Sequence, residues 1–242
     1  MPRTYRALDP DKVIETIGLL QHRIAERFPG AGLGDVCAEL LLLARASSAR
    51  AQGIARSNMP LRIAIFAIIA IGVIGLLWIA LLFRSFSASA DNVYSVLQGI
   101  EAAANLVVLI GAAVFFLTRI EERLKRASAL KALHELRSIV HVIDMHQLTK
   151  DPSTVVSVGG KTASSPARTL SRFELTRYLD YCSEMLSLTA KVAVLFAQGF
   201  PEPTVTDAVS DIERIAAGLS QKIWQKIIIL EALGEQAVGT RQ

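Results

Sequence analysis

Residues 63–83 read IAIFAIIAIGVIGLLWIALLF, a run without a charge or an amide. At about 1.5 Å per residue, a helix of this length covers a hydrocarbon core of roughly 30 Å. Each central Ile, Leu, Phe or Val favours insertion by roughly 0.3–0.6 kcal/mol, and together they outweigh Gly72 and Gly75. The stretch predicts one membrane-spanning helix. Arg62 and Arg84 bracket it and can snorkel to the two interfaces. Pro60 suits a first turn, where backbone N–H groups lack intrahelical acceptors, so the helix is expected to begin at Leu61.

The composition agrees with a membrane chain. Its 242 residues are 52% hydrophobic and 20% charged, with a mean hydropathy of +0.40, too apolar for an ordinary soluble globule. High apolar content and a net charge of only +4 exclude intrinsic disorder. Two cysteines, Cys37 and Cys182, make no disulfide framework and point to free thiols in a reducing compartment.

Downstream, residues 102–118 read AAANLVVLIGAAVFFLT. This run spans a bilayer if its helix begins earlier, so spans are expected over about 61–84 and 96–118. The second then includes Gln98, Glu101 and Asn105, which share one helical face. That face must avoid lipid, either as a helix contact with Gln98 and Glu101 at the headgroups, or as the lining of a pore. Gly72, Gly75, Gly111, Ala112 and Ala113 permit close helix approach without forming a strict GxxxG pair. The link RSFSASADN, residues 84–92, suits a turn in water, so the two spans form a hairpin.

Basic residues flank the hairpin on its outer sides. Arg45, Arg50, Arg56 and Arg62 precede it, and Arg119, Arg123, Lys125, Arg126 and Lys131 follow it. The positive-inside rule then places both termini in the cytoplasm. The first apolar run is too long and too late for a cleavable signal and reads as an uncleaved anchor. Arg56, Arg62, Arg119, Arg123, Lys125 and Arg126 are the candidate contacts to anionic lipid headgroups, worth roughly 1 kcal/mol each near the surface. Nucleic-acid binding is not expected, since no recognition motif or set of stacking aromatics accompanies the charge.

Outside the spans the periodicity is helical. Asp9-Pro10 announces an amphipathic helix in which Val13, Ile14, Ile17, Leu20, Ile24 and Phe28 recur at helical spacing until Pro29-Gly30. Asp35 is expected to cap a second helix through Leu40–Leu43 towards Arg56. After Thr118 no breaker interrupts the chain until Leu148, which predicts one long helix leaving the bilayer. Ser171-Arg-Phe-Glu174 is a capping box opening a helix to Gly199, and a last helix is expected from Val205 to Leu233 with Gly234 as its cap. Trp224 is expected to pack in the helical core rather than dock on a membrane surface. The chain thus divides into N-terminal amphipathic helices (1–60), a transmembrane hairpin (61–118), and a cytoplasmic helical domain (119–242) with a flexible loop at 150–170.

Chemical signatures are sparse. Gly159-Gly160-Lys161-Thr162 lacks the earlier glycine of a P-loop, since Val155 stands there, and Pro166 blocks a following phosphate-binding helix. His134, Arg137, His141 and Asp144 lie on nearby helical arcs, whereas His146 points away. Histidines seven apart stand about 10 Å apart along the axis, too far to share a metal unaided. The cluster is therefore expected to be structural or a pH-sensitive interface, with Asp144 pairing with His141 or Arg137. Tyr178, Tyr181 and Cys182 can face it, but no nucleophile adjoins a base and no paired carboxylates occur.

These residues predict an all-α membrane protein with a two-helix transmembrane hairpin and a cytoplasmic antiparallel helical domain. The expected role is a scaffold or interaction protein of a bacterial inner membrane, non-catalytic, without cofactor or metal. It is expected to be homo-oligomeric and to engage a further protein partner. The alternative is a channel or transporter subunit whose second span lines a pore.

Overall fold

The computed structural model describes residues 7–55, 59–86, 93–150 and 170–239, and every regular element among them is a helix. α1 spans Pro10–Arg27, α2 Gly32–Ala55, α3 Met59–Phe86, α4 Val93–Leu148, α5 Arg172–Gly199 and α6 Pro203–Gly239. Among the described residues, two helices are long and apolar enough to cross a membrane by length and composition. The loop 151–169, with its Gly-Gly-Lys-Thr, and the link 87–92 lie outside the described residues.

Local chemistry sets several helix ends. The Asp9 carboxylate accepts the Asp11 N–H at 2.9 Å, and Pro10 follows in the first turn. Ser171 Oγ accepts the Glu174 N–H at 3.3 Å while Glu174 Oε2 accepts the Ser171 N–H at 2.8 Å, so the capping box is complete. The Ser171 backbone N–H, then its hydroxyl, hold the Glu174 carboxyl below the usual carboxylate range.

Other ends differ from expectation. Between α1 and α2, Gly30 takes a left-handed φ of 75° and the Ala31 N–H donates to the Phe28 carbonyl at 3.1 Å. This turn lets α2 start at Gly32, so Asp35 stands in the first turn, favourably placed at the helix dipole, rather than at the cap. α3 starts at Met59, ahead of the expected Leu61. α6 passes through Gly234 to Gly239; an internal glycine costs only about 1 kcal/mol and does not by itself end a helix.

The chain forms two compact units, one of Met1–Ala55 with Ser128–Gln242, the other of Arg56–Ala127. In the first, α5 packs against α2 and α6, and α1 against α2 and α5. The core draws Ile17, Leu20 and Ile24 from α1, Leu33 and Leu40 from α2, and Leu136, Val140 and Ile143 from α4, all fully buried. Each such side chain contributes roughly 1.5–3 kcal/mol of burial. Phe28 follows α1 and meets Tyr178 and Tyr181 of α5 edge-on, with ring centroids 5.5 and 6.2 Å away. Polar ties reinforce the packing: Arg50 donates to Glu135 at 2.8 Å, and Gln198 Oε1 accepts the Leu8 N–H at 3.0 Å.

In the second unit, a Cβ added at Gly72 would collide with the Ile110 side chain, and one at Gly75 would lie 3.5 Å from Leu106. The small residues therefore set the approach of α3 to α4. The remaining surface is apolar and open: Ile71 is 71% exposed, Val108 70% and Trp78 67%.

Trp224 departs from its expected core position. It is 57% exposed on α6, beside exposed Ile228, while Ile223, Ile227 and Leu230 supply that helix's buried stripe. Helical phase puts residue 224 at the edge of the stripe, and the packing of α6 leaves that edge uncovered.

Candidate functional site

Two polar places stand out in the first unit. The larger is an open crevice of about 610 Å³ between α1 and α5, bordered by Arg23, Arg27, Phe173, Glu174, Arg177 and Tyr181. Three guanidinium groups meet aromatic faces here. Arg23 and Arg177 lie 5.9 and 5.2 Å from the Tyr181 centroid, and Arg27 lies 5.3 Å from that of Phe173. Their charges are met by carboxylates: Arg23 donates to both Glu184 oxygens at 2.7 and 3.4 Å, Arg177 donates to Asp180 at 2.8 Å, and Arg27 lowers the Glu174 pKa. With Glu26 also on the wall, four carboxylates face the three guanidinium groups, so the crevice carries no excess of positive charge. Its chemistry is that of an ion-pair and cation–π seam joining α1 to α5.

The second lies at the end of α4. The buried Gln147 donates to Asp144 Oδ1 at 2.6 Å, and Lys226 of α6 donates to both the Gln147 carbonyl (3.0 Å) and its Oε1 (2.6 Å). His146 Nδ1 shares a 3.3 Å hydrogen bond with the Tyr178 hydroxyl of α5, and Lys150 Nζ stands 5.1 Å from the Tyr178 ring centroid. Gly32 permits the histidine's approach, since a Cβ there would lie 3.1 Å from His146 Cε1. Burial drives the Tyr178 hydroxyl well above the usual phenol range, so it stays protonated. The junction ties the end of α4 to α2, α5 and α6 without placing a reactive nucleophile.

The expected cluster is thus partly rearranged. Asp144 takes its hydrogen bond from Gln147 and not from His141 or Arg137. His134, Arg137 and His141 are exposed, and the first two border a shallow cavity of about 150 Å³ with Asp211. His146, which points away when judged from its own helix alone, makes the contact between helices. Gln147 continues the buried α4 stripe of Leu136, Val140 and Ile143, but only the neighbouring helix, through Lys226, reveals its part. Tyr178 does face the end of α4, whereas Tyr181 turns to Arg23 and Phe28.

No group of three metal-ligating side chains comes together among the described residues. Cys37 and Cys182 are fully buried, and burial pushes each thiol up to about 12. Arg23 opposes that shift at Cys37, and Lys226 and Lys150 oppose it at Cys182.

Of the basic flank, Arg56 lies outside the described residues, and Arg62 and Arg123 are exposed. Arg119 is exposed and pairs with Glu122 at 3.3 Å, and Lys125 pairs with Glu121 at 2.9 Å. Arg126 is half-buried. Gln98, Glu101 and Asn105 are all exposed on α4 and share one face.

No family model matches the chain, and neither a curated protein nor a solved structure does so.

Proposed function

We propose that this chain is an integral membrane protein of a bacterial inner membrane. In this reading α3 and the first part of α4 form a transmembrane hairpin that anchors a cytoplasmic, antiparallel helical domain serving as a non-catalytic scaffold or interaction module. The observation that carries this reading is the contrast between the two units. One closes an apolar core around α1, α2, α5 and α6, while the other leaves Phe66, Ile71, Trp78, Val108 and Phe116 on its outside. A surface of that extent suits hydrocarbon and would aggregate in water.

The pairing of Gly72 with Ile110 and Gly75 with Leu106, whose numbers run in opposite senses, supports the hairpin. Arg62 before the first span, and Arg119 and Arg123 after the second, support cytoplasmic termini and contact with anionic headgroups. Exposed Met145 and Leu148 on α4 and Trp224 on α6 give the domain apolar surface for a protein partner.

Alkaline carbonate extraction of native membranes tests the reading, together with reporter fusions at both ends. The chain is expected in the pellet with both ends cytoplasmic; release into the supernatant would overturn it. The channel reading draws on the exposed Gln98, Glu101 and Asn105 face. Ion flux through reconstituted liposomes that is lost in Glu101→Ala would favour it.

A further inference from the structure

The face of α4 turned from α3 carries a regular pattern. Gln98, Asn105 and Ala112 recur at seven-residue intervals, as do Glu101, Val108 and Phe115, and all six are exposed. This is the a/d spacing of a coiled-coil seam, with an asparagine at an a position. The α3-facing positions Leu106 and Ile110 stand about 100° and 140° round the axis from Asn105. α3 therefore does not cover the seam.

Depth makes Asn105 decisive. It lies about 21 Å along the helix from Arg119, hence about 10 Å beneath the opposite surface of a core roughly 30 Å thick. Glu101, about 27 Å from Arg119, reaches to within about 3 Å of that surface, where water can solvate it. Asn105 makes no hydrogen bond among the described residues, and the α3 run from Ile63 to Phe83 carries no amide or charge to pair with it. Hydrocarbon leaves its amide unsatisfied.

We infer that this seam is covered by the same seam of a second copy, with Asn105 bonded to Asn105 across the interface. Copies inserted in one orientation bring their α4 helices together in parallel, so like positions meet, and an amide both donates and accepts. Gly111 borders the seam, and a Cβ added to it would meet nothing within 4 Å, which leaves room for the neighbouring backbone. The inference rests on the membrane reading and makes the face a dry helix contact, not a pore lining.

Cysteine cross-linking in native membranes under a mild oxidant tests it, using Val108→Cys, Ala112→Cys and Val107→Cys, all of which keep Asn105. Val107 is exposed at nearly the same depth but on a flank, about 160° round from Asn105. The expected result is a disulfide-linked dimer at 108 and 112 and none at 107. The wild-type chain, with both native thiols buried, is expected to give none. Asn105→Leu, which keeps the span apolar, is expected to weaken self-association in liposomes by roughly 5- to 30-fold. An inserted chain that gives no dimer at 108 and 112, or as much at 107, overturns the seam and leaves the membrane reading standing. A chain released by carbonate overturns both.

Discussion

Cys37 and Cys182 show what burial does to a single side chain. Folding holds both thiols at about 12 against an unburied value of 9.0, so the folded chain keeps protons that the unfolded chain releases. Their contribution to stability is complete below pH 9.0 and is lost as pH rises from there towards about 12. The native protein is expected to resist maleimide at neutral pH and to label fully at both positions in denaturant; rapid labelling of the native chain would contradict their burial. At this scale the sequence is legible where partners are local. Asp9 and Ser171 act within their own turns, so their caps can be read directly. His146 and Gln147 work through Tyr178 and Lys226, on helices whose positions no spacing within α4 can supply.

Between elements, glycine positions separate close packing from open surface. A Cβ at Gly199 would stand 3.2 Å from the Ala51 carbonyl oxygen and 3.5 Å from Ala55 Cβ, where α5 meets α2. Gly199→Val is expected to cost about 1–3 kcal/mol by overpacking. Gly53, inside α2, meets nothing within 4 Å, so Gly53→Ala is expected to gain about 0.5–1 kcal/mol from helix propensity. Shifts of the denaturation midpoint in opposite directions check the pair. Helix existence is readable from apolar periodicity along α1, α4, α5 and α6, because one buried face leaves a 3.6-residue signature. The end of α6 is not, because glycine permits a cap without requiring one. Trp224 escapes a reading by periodicity because a stripe's edge has the right spacing whether or not a neighbour covers it.

At the scale of the whole molecule, residues before the apolar helices and residues after them build one core. Phe28 packing on Tyr178 and Tyr181, Arg23 bonding Glu184, and Ala51 against Gly199 all cross that gap in sequence. A chain lacking residues 1–55 is therefore expected to lose cooperative unfolding and to be cut by protease within α5, with protection restored when residues 1–55 are supplied separately. Unchanged protease resistance of the shortened chain would show that α4, α5 and α6 suffice alone.

The chain's two tryptophans, Trp78 and Trp224, lie one in each unit and both on its outside, while the buried rings among the described residues are Phe28, Tyr178, Tyr181 and Phe196. Indole emission from this protein consequently reports on its surroundings and stays largely blind to melting of the interior. In the membrane reading proposed above, a soluble quencher and a brominated lipid would interrogate separate halves of the same spectrum, one indole to each.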